Sequence, residues 1–138
     1  MQASLRLFLS DRTDRHAGCE RLSDVLNGPL AFVPAVDPNG KIVFFHKKSV
    51  MAVSVSAEEE LSSEPSPEEL ASDQVSRAIV EVLLEDGSSF RGTIVYLMPE
   101  AQRRLQDFLN TSDRFLVLKE RAVSHLINKA RITRVSPL

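Results

Sequence analysis

The chain has 138 residues, of which 43% are apolar and 26% charged, and it carries a net charge of −2. That balance belongs to a globular protein rather than a fibrous or disordered one. No apolar run approaches the roughly 18 residues that a bilayer span needs, and the amino terminus lacks a basic stretch followed by a long apolar segment, so a cytoplasmic protein without a membrane partner is expected. Cys19 is the only cysteine, which excludes an intramolecular disulfide and a thiolate-rich metal site within one chain.

In chain order, Ser4–Ser10 alternates Leu5, Leu7 and Leu9 and reads as a first strand. The polar run Asp11–Glu20 follows, where a second strand is expected to be reduced or lost. Then comes "RLSDVLN" at Arg21–Asn27, with Phe32 five residues after the Asn, and the apolar runs "FVPAV" and "KIVFFH" supply later strands. Residues 1–55 hold seven Lys/Arg against five Asp/Glu, residues 56–76 none against seven, and residues 77–138 ten against seven. The acidic middle is crowded with Ser, Glu and Pro and lacks aromatic residues, so it cannot bury enough apolar surface to offset its ordering entropy and reads as a linker over Ser56–Ser76. Within it, Ser66-Pro67-Glu68-Glu69 has the chemistry of a short helix start.

The last stretch is the more regular one. Val80, Val82 and Leu84 alternate, Asp86–Gly87 marks a turn, and Ser88–Met98 reads as a second strand in which Gly92 predicts a sharp bend or a close backbone approach. Pro99–Asn110 changes period, with Leu105, Phe108 and Leu109 at i, i+3 and i+4, and ends in "RLQDFLN" at Arg104–Asn110. Three more strand-like runs follow, Arg114–Glu120, Ala122–Asn128 and Ala130–Val135. The two heptapeptides align at an offset of 83 (110 − 27), which pairs Phe32 with Phe115, and "HKKSVMAV" at His46–Val53 answers "NKARITRV" at Asn128–Val135 at an offset of 82 (128 − 46). Two matched segments in the same order point to internal duplication: a first unit at 1–55, a linker at 56–76 and a second unit at 77–138.

The alternating strand, Asp-Gly turn and bend-forming Gly, here Val80, Val82, Leu84, Asp86, Gly87, Phe90 and Gly92, resemble the first motif of Sm-like small β-barrels. That resemblance implies a mainly β fold of two small Sm-like β-barrel or curled-sheet repeats, each with a short helical insertion, packed together. The Arg-Leu-x-Asp-x-Leu-Asn element with its following Phe strand also resembles an uncharacterised group of small bacterial proteins. RNA-binding Sm-like proteins act as rings and carry an Arg-Gly or Lys-Gly pair before the last strand; this chain has Asn128-Lys129 there, and His46-Lys47-Lys48-Ser49 in the first copy.

Chemistry-bearing residues are sparse. His16 lies three residues before Cys19, but no orienting third group accompanies them, and His46 and His125 sit in or beside strand runs without a spaced ligand set. The five glycines are not clustered, which disfavours a phosphate-cradling loop. No enzymatic activity, metal or cofactor is expected. Arg21 with Asp24 and Arg104 with Asp107 are spaced for surface ion pairs, and Asn27 and Asn110 for a left-handed helix end; these six residues are also the candidate interaction element. His46, Lys47, Lys48, Lys129, Arg131 and Arg134 form a candidate basic patch, although the Phe residues lie mostly in apolar runs where burial is expected. The expected function is a protein–protein interaction or scaffold module whose partner is another protein or a second copy of the chain, with RNA or DNA binding as the alternative.

Overall fold

The computed structural model describes residues 6–7, 22–56, 75–97, 104–111 and 113–138. Its fold is mainly β. In chain order the elements are β1 (Arg6–Leu7), α1 (Leu22–Asn27), β2 (Phe32–Val36), β3 (Ile42–His46), a 3₁₀ turn (Lys47–Ser49) and β4 (Ala52–Ser56), followed by β5 (Val75–Leu84), β6 (Ser89–Leu97), α2 (Leu105–Leu109), β7 (Phe115–Glu120), β8 (Val123–Asn128), a second 3₁₀ turn (Lys129–Arg131) and β9 (Ile132–Pro137). All strand pairs are antiparallel, in a three-stranded sheet β1-β2-β3 and a six-stranded sheet β4-β8-β7-β6-β5-β9.

The local chemistry explains the elements. Val80, Val82 and Leu84 point one way from β5 and are buried with Ile94 and Tyr96 of β6 and with Leu116, Leu118 and Ile127. The β5–β6 turn closes on Asp86, whose carboxylate accepts from the Ser88 amide at 2.9 Å and hydroxyl at 2.6 Å, while Gly87 takes the φ of +90° that other residues avoid. Those bonds hold the Asp86 carboxyl below its usual pKa. Gly92 meets the expectation of close approach: a Cβ there would strike the Lys119 carbonyl and come within 3.0 Å of the Leu118 side chain. It lets β7 cross close to β6, to which it is paired at Thr93↔Lys119.

Four expectations are corrected or narrowed. Neither sheet closes into a barrel among the described residues; both are open. Of the expected first strand only Arg6–Leu7 is described, as a short strand paired antiparallel with β2, and Asp11–Glu20, where a second strand was expected to be reduced or lost, lies outside the described residues. Ser56 is the last residue of β4, and Val75 and Ser76 open β5, which leaves 57–74 of the expected linker, with its expected helix start, outside the described residues. Neither Asn27 nor Asn110 is left-handed: Arg121 is the one non-glycine residue with positive φ among those described, and Asn110 has φ −91°.

The two halves are joined by pairing and by packing. β4 leaves the first half to pair with β8, with Ala52 opposite Ile127 and Ser56 opposite Val123. A second core cluster then spans the join, in which Leu26, Phe45, Val50, Val53 and Val55 of the first half pack on Phe115, Val117 and Leu126 of the second.

Candidate interaction surfaces

Polar links stitch the join. Asn27, at the end of α1, accepts the Phe115 amide on its side-chain oxygen at 2.8 Å, which satisfies the first donor of β7. The Asn128 amide nitrogen donates to the Val50 carbonyl at 2.9 Å and the Lys47 carbonyl at 3.4 Å, and the Asn128 backbone donates to Met51. Ser54 of β4 is hydrogen-bonded to Nδ1 of buried His125 at 2.7 Å. Asn27 of the first heptapeptide and Asn128 of the Asn-Lys turn are thus contact residues between the halves.

Beside the join lies an open cleft of about 610 Å³ into which Lys47, Lys48, Arg114, Lys129 and Arg131 converge with Asp113. Four of the six expected basic-patch residues meet here. His46 does not line it; its ring accepts the Lys48 amide at 3.1 Å. Arg134 lies on β9, away from it. Most of the converging cations are already engaged. Lys47 is buried, donates its Nζ to the Gly28 carbonyl at 3.0 Å, and has its pKa lowered by desolvation and then by the neighbouring Arg114 charge. Lys129 donates to Thr111, with its pKa lowered by burial against the opposing pull of Asp113. Arg131 binds Glu85 at 2.6 Å and the Lys48 carbonyl at 2.8 Å. Lys48 and Arg114 are exposed. Arg114 went unread in the sequence because it stands alone between polar residues and a strand, far along the chain from the first Lys pair.

Arg104 and Asp107 form the expected ion pair, with nitrogen–oxygen distances of 3.0 and 3.2 Å, and each shifts the other's pKa toward charge, Arg104 up and Asp107 down. Asp24 is buried on α1, whereas Arg21, His16 and Cys19 lie outside the described residues. Asn110 is exposed, with its amide nitrogen donating to Gln106 at 2.8 Å. Among the described residues no group of His, Cys, Asp or Glu is placed to hold a metal ion, and no helix is long and apolar enough to cross a membrane.

The most exposed apolar surface lies on β2 and β3. Opposite residues of an antiparallel pair share a face, so Phe32↔His46, Pro34↔Phe44 and Val36↔Ile42 make one outward face. Its β2 and β3 positions hold no Asp, Glu, Lys or Arg, Arg6 of β1 stands opposite Val36, and Phe32, Ile42 and Phe44 are 58, 62 and 68% exposed. Phe32 and Phe44 thus depart from the burial expected of most Phe residues, whereas Phe115 is buried and Phe45, Phe90 and Phe108 pack against the cores. The strand alternation was visible in "FVPAV" and "KIVFFH", but apolar residues occupy both phases, so periodicity alone did not say that one face would stay bare.

Compared with family models, curated proteins and solved structures, the chain finds no match in any of the three.

Proposed function

We propose that the chain is a non-enzymatic protein-interaction module that docks a partner on the β2–β3 face. The observation that carries this is the patch of Phe32, Ile42 and Phe44, an exposed apolar cluster beside the open edge of β3. Exposed apolar patches next to unpaired strand edges are where soluble proteins receive a partner, through apolar burial and added strand pairing. The chain is read as a tandem pair of one small β unit of Sm-like type. What supports that reading is the shared order of helix, two strands, 3₁₀ turn and strand in each half, α1-β2-β3-turn-β4 and α2-β7-β8-turn-β9.

The test compares the full chain with Phe44→Glu in quantitative crosslinking. Phe44 is 68% exposed, so the substitution leaves the fold standing while placing a charge in the patch. Protein association through this face is lost in the variant; association at wild-type strength in Phe44→Glu refutes the docking face.

The basic cleft and the two exposed Phe rings favour a second reading, single-stranded nucleic-acid binding, because phosphate contacts need clustered cations and bases stack on exposed aromatics. It ranks second because Lys47, Lys129 and Arg131 are committed to protein acceptors. A salt series with mixed-sequence RNA and DNA separates the two: affinity that falls steeply as salt rises, and falls further in Lys48→Ala/Arg114→Ala, supports this reading, and absence of binding at low salt removes it.

A further inference from the structure

The bare face of the first half has a counterpart in the second half that is largely covered. Subtracting 83 from the β7 positions and 82 from the β8 positions carries Phe115, Val117 and Lys119 onto Phe32, Pro34 and Val36, and Asn128, Leu126 and Ser124 onto His46, Phe44 and Ile42. In the second half this face is closed by the first half: Phe115 is 3% exposed and Leu126 is fully buried beneath Leu26, Val50, Val53 and Val55. In the first half the same positions stand open.

The covering element also exists twice. α1 and β4 cover the second half; of their equivalents at the same offsets, α2 and β9, the residues matching Leu26, Val50 and Val53 (Leu109, Ile132 and Val135) are partly buried against the second half's own core, while the outer edge of β9 has no described strand paired to it. Resting on the interaction-module reading, we infer that the partner is a second copy of this chain, which adds β9 along the open edge of β3 as β4 is added along β8, with the end of α2 brought to the start of β2.

Two independent details fit. The first is the edge of β9. Met51 accepts from Asn128, so Met51, Val53 and Val55 turn their backbone groups toward β8. Their equivalents are Thr133, Val135 and Pro137. Leu138 donates to Ile79 on β5, which turns Leu138, Ser136 and Arg134 toward β5 and leaves Thr133, Val135 and Pro137 facing the open edge. β9 therefore offers a newcomer the alternate groups that β4 offers to β8 at Thr133 and Val135, and a carbonyl without an N–H at Pro137. Shifting the β4–β8 register gives Arg134 opposite Phe45, Val135 opposite Phe44, Ser136 opposite Val43 and Pro137 opposite Ile42 of the second copy.

The second detail is the heptapeptide Asn. Asn27 accepts the Phe115 amide. The equivalent pair is Asn110 and Phe32, both exposed, with the Asn110 amide nitrogen donating to the Gln106 carbonyl. The repeated Asn and Phe, which meet within the chain only once, meet a second time between chains.

Because the two surfaces differ, the contact is heterologous: each copy receives one neighbour on β3 and presents β9 to another, so assembly gives a closed ring or a filament rather than a two-fold dimer. The test is sedimentation velocity on the full chain with two variants at exposed positions, Phe44→Glu on the receiving face and Asn110→Ala/Leu138→Lys on the presenting edge, where Leu138 falls opposite Lys41. Wild type sediments as species larger than the 15.4 kDa chain, and each variant alone weakens association by at least about tenfold. An equimolar mixture restores one complex of twice the chain mass, because one intact receiving face meets one intact presenting edge; misfolded variants do not complement. A wild type that remains monomeric into the high micromolar range, or variants whose mixture forms no complex, overturns self-assembly. Loss of a different protein's crosslinking in Phe44→Glu would then still uphold the docking face, so the two readings fail separately.

Discussion

Asn27 and Asn110 occupy matching places in matching heptapeptides, yet their side chains serve different acceptors and donors. Removing the Asn27 carboxamide leaves the Phe115 amide without its acceptor in a part-buried position, and an unsatisfied buried amide costs about 1–3 kcal/mol. Asn27→Ala therefore lowers the urea midpoint of the dilute chain, while Asn110→Ala, at an exposed helix end, changes stability by no more than about 0.5 kcal/mol. Equal losses would contradict the assigned roles. Lys47 gives a pH-dependent counterpart. Its pKa is lowered from 10.5 by burial and by Arg114, so as pH rises through the folded pKa the native state releases its proton while the unfolded chain still holds one. Stability contributed through this group consequently rises with pH in the window below 10.5 and is lowest at neutral pH, where the buried ammonium is charged. Lys47→Met removes that penalty, so its stability relative to wild type is greater at pH 7 than at pH 10, as paired urea titrations would show. A constant difference across the two pH values would place the Lys47 charge in solvent.

At the scale of elements, Gly92 is the position where sequence and structure agree most closely. A Cβ there meets the Lys119 carbonyl, a backbone atom that cannot rotate away, so Gly92→Ala forces β6 and β7 apart and costs about 1–3 kcal/mol by overpacking, measurable as a fall in thermal midpoint. Gly87→Ala is different in kind, since space is open around it and only the φ of +90° resists. The strands of the second half were legible because Val80, Val82 and Leu84 alternate against one buried face. The first half was less legible for a physical reason: Phe32, Pro34, Phe44 and Ile42 are apolar on the face opposite to buried Val33 and Ala35, so the two-residue period is blurred. Pairing partners lay further out of reach. Nothing in Ser4–Ser10 states that Arg6 will oppose Val36, or in Ala52–Ser56 that β4 will leave its own half for β8, because register is decided by long-range burial. The candidate site shows the same division. The heptapeptide repeat marked Asn27 and Asn110 as equivalent, but only the fold gives Asn27 a partner 88 residues away.

For the whole molecule, the route of β4 decides how the chain unfolds. Two units that each closed on themselves would melt separately, each with a marginal core of its own. Here the second core cluster draws Leu26, Val53 and Val55 from one half and Phe115 and Leu126 from the other, and β4 supplies the edge strand of the six-stranded sheet. Neither half can lose its fold without exposing apolar surface on the other, so denaturation is a single transition. Tyr96, stacked on Phe108 at 4.9 Å, reports the second half through its near-ultraviolet signal, and amide exchange along β2 and β3 reports the first. Leu126 is fully buried at the join, and truncation of such a leucine costs about 2–5 kcal/mol. In Leu126→Ala the Tyr96 transition and the global exchange of the β2–β3 amides shift together by that amount. Phe44→Ala, at the equivalent but open position, shifts neither in dilute solution. If instead the Leu126 change moved the Tyr96 signal and left β2 and β3 protected as before, the halves would be independent folding units, and the join would carry contact without cooperativity.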